Sequence, residues 1–214
     1  MPTDKTYKIG TKRNNLFLRV LKGHFASANS HSNYYVDITV QKSRLTEAKA
    51  VAEELVSYYT SSTIVDAILC LDGTEVIGTC LAEELTKGNF MNMNAHRTIY
   101  VLSPEMTSGG QFIFRDGTVP MIRGKHVLIL SASVTTGRTA RSAIQAIGYY
   151  GGYVAGIASI FATANEIDGY NVESVFDPND LGDYCSTSAQ DCPMCKRGEK
   201  LDALINSFGY SKLH

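Results

Sequence analysis

The run Val127-Leu128-Ile129-Leu130-Ser131-Ala132-Ser133-Val134-Thr135-Thr136-Gly137-Arg138-Thr139-Ala140 passes from consecutive apolar residues into a turn of hydroxyls with a glycine. A short apolar run bounded by turn residues reads as a buried strand, Val127 to Leu130. A helical pattern follows from about Thr139 to Tyr150, and Gly151-Gly152 ends it. The next strand is Tyr153 to Phe161, with a short one around Val172 to Phe176. Upstream, Ile64 to Leu71 is another apolar strand, closed by Asp72-Gly73. Ile77, Leu81 and Leu85 share one face of the helix after it, and Thr98 to Leu102 is a β-rich strand. Leu45, Ala48, Ala52, Leu55 and Tyr59 form the stripe of an earlier helix, with Ser43 available as its cap. Ser103 to Gly124, with Gly109-Gly110 and Asp116-Gly117, reads as a long loop or a β-hairpin. Strands alternating with helices of this length predict an α/β fold with a parallel sheet flanked by helices.

Ligands of such sheets bind beyond the carboxyl ends of the strands, so the loops after Leu71, Leu102 and Leu130 carry the functional question. Hydroxyls, a glycine and the free N–H groups of a helix start suit a phosphate monoester at Thr135, Thr136, Gly137, Arg138 and Thr139. An ordinary capped turn is the plainer reading of the same residues. No GxxxxGK[ST] and no GxGxxG occurs, which excludes a P-loop and a dinucleotide fingerprint. The 214 residues are 44% hydrophobic with a formal net charge of −1. That composition excludes a disordered chain and argues against broad electrostatic binding of nucleic acid or acidic membranes. The start, MPTDKTYKIG, lacks the apolar core of a signal peptide, so a cytoplasmic protein is expected.

Val127 to Ala140 resembles the phosphoribosyl-pyrophosphate-binding motif of type I phosphoribosyltransferases, in which an apolar strand leads through two acids into a Thr/Gly-rich phosphate loop. Asp72-Gly73-Thr74-Glu75-Val76-Ile77-Gly78 resembles the pyrophosphate loop of that family. Gly23-His24-Phe25-Ala26-Ser27-Ala28-Asn29-Ser30-His31-Ser32-Asn33-Tyr34-Tyr35 is similar to the base-side segment of orotate phosphoribosyltransferases. The resemblance spans roughly residues 20 to 160 in family order. It implies the type I fold with a small N-terminal hood, a homodimer, and Mg2+. It also implies a ligand, phosphoribosyl pyrophosphate or a nucleoside 5′-monophosphate, and transfer of the phosphoribosyl group to a pyrimidine base. The implied roles are the 5′-phosphate for Thr135 to Thr139, and pyrophosphate or its metal ion for Asp72, Gly73, Thr74 and Glu75. His24, Phe25, Tyr34 and Tyr35 would lie on the base side, although a hydrophobic cover over the sheet is the slightly favoured reading for the two tyrosines.

Two departures limit the claim. The family's adjacent acids, which hold the ribose hydroxyls, align with Ser131 and Ala132. Ser131 and Ser133 are left as neutral partners for the ribose, weaker than charge-assisted ones. The family's catalytic-loop lysine is also missing: no lysine occurs from Val101 to Gly124, where Arg115 and Arg123 are the cations. The alternative is therefore a non-catalytic sensor of nucleotide or phosphoribosyl pyrophosphate on the same fold.

The expected organisation is a hood over residues 1–42, a core over 43–180 and a cysteine-bearing tail over 181–214. Cys70 and Cys80 read as buried hydrophobes. Cys185, Cys192 and Cys195 gather in one polar segment. Zinc prefers four ligands, and only the Cys192–Cys195 pair has the right spacing, so no metal site is assigned and a reduced structural turn is expected. A redox pair is an alternative, and zinc would require the fold to bring His24 or His31 close. Otherwise His31 and His96 read as structural histidines. Gly198 to Tyr210, with Leu201, Leu204 and Ile205 on one side, reads as a terminal docking helix.

Overall fold

The computed structural model describes residues 6–11, 16–88, 91–95 and 97–213, so His96 lies outside the described residues. In chain order the N-terminal segment forms β1 (Thr6–Gly10), β2 (Phe17–Ala26), β3 (His31–Asp37) and the short helix α1 (Thr39–Ser43). The central segment continues with α2 (Leu45–Tyr59), β4 (Ala67–Cys70), α3 (Glu75–Thr86), β5 (Tyr100–Leu102), β6 (Glu105–Met106) and β7 (Phe112–Ile113). It ends with β8 (His126–Val134), α4 (Arg138–Tyr149), β9 (Tyr153–Ala162), β10 (Glu166–Ile167) and β11 (Tyr170–Phe176). The C-terminal segment adds β12 (Ser186–Thr187), α5 (Pro193–Lys196), β13 (Ala203–Asn206) and β14 (Gly209–Lys212). Two compact units result. Residues 41–175 form one, while residues 1–40 and 176–214 together form the other. The N-terminal hood and the C-terminal tail, expected as separate segments, thus share a unit.

In the 41–175 unit the sheet order is β10-β11-β9-β8-β4-β5. β5, β4, β8 and β9 run parallel. Every residue of β4 is buried, as a strand covered on both faces requires. Ala67, Leu69, Val127 and Ile129 pack with Ala140, Ala143 and Ile147 of α4 on one face. On the other face α3 approaches Ile68 and Cys70 so closely that a Cβ on Gly78 would collide with the Cys70 sulfur. Ala48, Val51, Ala52, Leu55 and Tyr59 form the buried stripe of α2, and the Tyr59 hydroxyl donates to the Ile157 carbonyl at 3.0 Å. Leu45 is exposed, and the residue before α2 is Arg44, with no side-chain cap, rather than Ser43, which belongs to α1. Between Ser103 and Gly124, β6 and β7 pair as a hairpin.

β8 is longer than its apolar core. Ser131 pairs with Ser159, Ser133 with Phe161 and Val134 with Ala162, so β9 carries the ladder four residues past Leu130. The turn into α4 is correspondingly short, Thr135 to Gly137.

The other unit is a sheet of order β12-β3-β2-β13-β14, with β1 also on β2. The expected terminal helix is a hairpin. Ala203 and Leu204 pair in parallel with Phe25 and Ala26, and β14 folds back antiparallel on β13. Pairing with a sheet overrides the helical spacing of Leu201, Leu204 and Ile205. The local turn signal is Asn206, whose Oδ1 accepts from the Phe208 N–H at 2.9 Å ahead of Gly209 at φ 143°. Among the described residues no helix is long and apolar enough to cross a membrane.

Replacing Gly78 with alanine should destabilise the protein by about 1–3 kcal/mol, because the added methyl must push α3 off β4. Urea denaturation followed by far-ultraviolet circular dichroism reads this as a lower midpoint at unchanged slope.

Candidate phosphate and pyrophosphate loops

The connections of β4 and β8 leave in opposite directions: β4 leads through α3 to β5 on one side, and β8 leads through α4 to β9 on the other. Adjacent parallel strands with diverging connections leave a crevice at their carboxyl ends. Both candidate loops lie there, after Cys70 and after Val134. The Leu71 N–H donates to the Leu130 carbonyl at 2.8 Å, which extends the ladder to the mouth of the crevice.

The turn Thr135-Thr136-Gly137 is fixed from outside. The Thr163 hydroxyl donates to the Thr135 carbonyl at 2.9 Å, and Arg141 Nη1 donates to the Thr136 carbonyl at 3.1 Å while its Nε holds Asp168 at 3.0 Å. Gly137 is left-handed, φ 71°, and a Cβ there would strike the Ile167 side chain, so glycine is required twice over. The start of α4 has no side-chain cap and no acidic residue in its first turn. Its opening N–H groups lack acceptors four residues back, and Arg138 puts a cation beside them. A cation at a helix N-terminus opposes the macrodipole, and an anion bound there would satisfy both. Ser133 to Ala140 line a small concavity at this point.

The loop after β4 has a different character. Asp72 and Gly73 are both left-handed, φ 58° and 78°. Lys42 Nζ donates to the Asp72 carbonyl at 2.7 Å, and the Ser131 hydroxyl donates to Asp72 Oδ2 at 2.8 Å. Thr74 is fully buried, its hydroxyl donating to the carbonyls of Leu71 and Leu130 at 2.9 and 3.1 Å. Its side chain therefore ties strands together and can offer a ligand only its backbone. Glu75 accepts from the Ser103 hydroxyl at 2.7 Å.

On the ribose side, Ser131 is buried with its hydroxyl engaged on Asp72, Ala132 is buried, and Ser133 is exposed. A carboxylate thus does reach the strand position where the look-alike family keeps its acids, but it comes from the neighbouring loop. Of the two loop cations, Arg115 is paired through Nε and Nη2 with Glu105, the Nε bond measuring 2.8 Å. Lys42, by contrast, lies at the crevice although nothing in its local sequence marks it.

The four residues expected on the base side all lie in the other unit and are buried there. Phe25 and Tyr35 pack with Ala203, and the Tyr35 ring meets Tyr210 at 5.1 Å between centroids. The Tyr34 hydroxyl donates to Asp183, which also pairs with Lys22. His24 faces His31 and the Cys192–Cys195 turn.

No protein-family model matches the chain, and no curated protein matches it in sequence. Solved structures do. Orotate phosphoribosyltransferase of Mycobacterium tuberculosis H37Rv, in complex with Fe(III) dicitrate, superposes with a TM-score of 0.54 at 20% identity, covering 77% of this chain and 93% of that one. The same enzyme in complex with 5-phospho-α-D-ribosyl 1-diphosphate gives 0.50 at 20% identity, over 69% and 83%. Adenine phosphoribosyltransferase of Thermoanaerobacter pseudethanolicus gives 0.50 at 17% identity, over 67% and 88%.

Beneath the Asp72 loop, burial, with a smaller push from Glu75, raises the Cys70 thiol to about 12. Almost no thiolate is present at neutral pH. Iodoacetamide at pH 8 should leave Cys70 unmodified in the native protein and label it once urea is added, as read by peptide mass spectrometry. The alternating helices and parallel strands, the crevice at β4 and β8, and these structural neighbours together establish that the chain has the type I phosphoribosyltransferase fold.

Proposed function

We propose that the crevice binds a 5′-phosphorylated ribose, as phosphoribosyl pyrophosphate or a nucleoside 5′-monophosphate, with the phosphate on Thr135 to Thr139. The carrying observation is the uncapped start of α4, which combines a left-handed Gly137 with Arg138 in its first turn. Asp72 and Gly73 would face the pyrophosphate with their backbone, and Lys42 would supply the cation that Val101 to Gly124 lacks as lysine. The Asp72 carboxylate, oriented by Ser131, would take the ribose side. Mg2+, implied by the resemblance, commonly binds one or two carboxylates together with substrate phosphates. Asp72 meets the lower end of that requirement and Ala132 adds nothing. When bound, the ion would neutralise charge on the departing pyrophosphate.

Transfer to a pyrimidine base, as in an orotate phosphoribosyltransferase acting as a cytoplasmic homodimer, is the finer reading. Catalysis would rest on positioning and on charge stabilisation of an oxocarbenium-like transition state. The second reading, a sensor that binds without turnover, is favoured by buried Ala132 at an acid position and by Arg115 committed to Glu105.

Calorimetric titration with phosphoribosyl pyrophosphate, ribose 5-phosphate and uridine 5′-monophosphate tests the binding, and pyrophosphate release over a panel of bases tests the chemistry. Gly137→Ala should weaken each ligand about tenfold or more, since charge-assisted hydrogen bonds of ~1.5–3 kcal/mol depend on the turn. Absence of binding by all three ligands rejects both readings. Binding without base-dependent release rejects the enzyme, and release with orotate rejects the sensor.

A further inference from the structure

In the unit formed by the two ends of the chain, one apolar cluster joins Phe25, Tyr35 and Ala203 as buried members. Units of this size are often fastened by a cross-link or a metal as well as by their core. In the same unit, His24, His31, Cys192 and Cys195 each aim one donor atom at a common point, all within 4.8 Å of one another.

Four of the six spacings within this group match the edges of a coordination shell, and the other two lie within 4.8 Å. His24 Nε2 lies 3.2 Å from His31 Nδ1, 3.4 Å from Cys192 Sγ and 3.6 Å from Cys195 Sγ, and Cys195 Sγ lies 3.3 Å from His31 Nδ1. A tetrahedral zinc ion with Zn–N of about 2.05 Å and Zn–S of about 2.3 Å has edges of about 3.3 Å between nitrogens and about 3.5 Å between nitrogen and sulfur. Hydrogen bonding does not account for the convergence. Nε2 of an imidazole has a single lone pair or a single proton, and here it faces three partners.

The surroundings orient the ligands as metal sites do. His24 Nδ1 faces the Glu199 carbonyl at 3.1 Å, which keeps the proton on Nδ1 and leaves the Nε2 lone pair pointing inward. The His24 backbone is clamped by Asp202, whose Oδ2 accepts from the His24 N–H at 2.7 Å and whose N–H donates to the His24 carbonyl at 2.8 Å. A register shift between Lys22 and Phe25 breaks the alternation of β2, and His24 within it is 3% exposed. Cys192 caps α5, with Pro193 at the first helical position, and the single turn presents Cys195 beside it. Cys185 is not in the group. Its backbone N–H instead donates to Asn33 Oδ1 at 2.7 Å.

We propose that His24, His31, Cys192 and Cys195 bind a structural zinc ion that fastens the β2–β3 hairpin to the C-terminal segment. Two thiolates and two neutral imidazoles balance the charge of Zn2+, and binding releases the two thiol protons to solvent. Four protein ligands leave no open position, so the site is structural rather than catalytic. It does not depend on what the β4–β8 crevice binds.

The full chain, purified from zinc-supplemented medium, should carry about one zinc per chain by mass spectrometry of the metal, as a four-ligand site predicts. After removal of zinc under reducing conditions, Co2+ should give the intense red-visible bands of a tetrahedral ion and a thiolate charge-transfer band in the near ultraviolet. Cys195→Ser and His31→Ala should lose or shift those bands, and Cys185→Ser should keep them. The zinc-free chain should melt at a lower temperature and recover on adding zinc. Folded wild-type protein without zinc and without a tetrahedral cobalt spectrum would overturn the proposal. So would a Cys192–Cys195 disulfide in protein purified under reducing conditions, or loss of the bands in Cys185→Ser. The cobalt spectrum of the wild-type chain decides the question even if a variant fails to fold.

Discussion

The parallel pairing of β4 with β8 is the constraint on which the 41–175 unit depends. Both strands are buried on two faces, so their backbone groups must be satisfied within the sheet. The ladder reaches as far as Leu71 and Leu130, and the buried Thr74 hydroxyl then bonds to the carbonyls of both. That single hydroxyl locks the mouth of the crevice just where the two chains part. The close approach of the covering helices follows from the same pairing. Gly78 lets α3 come down onto Cys70, and Gly137 lets the turn into α4 pass Ile167. Rigid strands below and uncapped helix starts above are what a binding loop requires.

The fold was largely legible in the sequence because its core obeys local rules. Fully buried strands read as apolar runs, and α2, α3 and α4 repeat their apolar residues at helical spacing. Reading failed where long-range pairing decides. Ser131 to Val134 look like a loop because they are polar and small, and only β9 alongside makes them strand. The C-terminal segment has helical spacing, yet β2 recruits Ala203 and Leu204 into a sheet. The phosphate turn was visible because its chemistry is contiguous. The contact between Ser131 and Asp72 was not, since 59 positions separate them. Lys42 gave no sign of its position for the same reason. The Cys192–Cys195 spacing was visible, but the two histidines that complete the group come from the opposite end of the chain.

The unit made from the chain ends is tied by organised polar groups as well as by its buried apolar residues. Asp183 receives both Lys22 and the Tyr34 hydroxyl, and the side chain of Asn33 bonds to the backbone of Asp183 and Cys185. The exposed Lys22–Asp183 pair by itself adds little. Several such ties between residues near 20–35 and residues near 183–202 nevertheless fix one register, and a metal at His24, His31, Cys192 and Cys195 would act on those same two segments.

Asp72 concentrates the functional argument. A non-glycine residue in the left-handed region costs about 1–2 kcal/mol, and such residues persist where their surroundings over-determine them. Here Lys42 holds the carbonyl and Ser131 holds the carboxylate, so the conformation is fixed from both ends. Ser131 stands on the strand where the look-alike family carries an acid, and its hydroxyl orients a carboxylate from the next loop instead. The crevice thus carries a carboxylate of the Asp72 loop beside the strand position of Ser131. In the proposed complex, that carboxylate and the Lys42 ammonium, which donates to the Asp72 carbonyl, would orient the phosphorylated ribose. In the proposed complex the Ser131 hydrogen bond would fix how far the Asp72 carboxylate stands from the ribose.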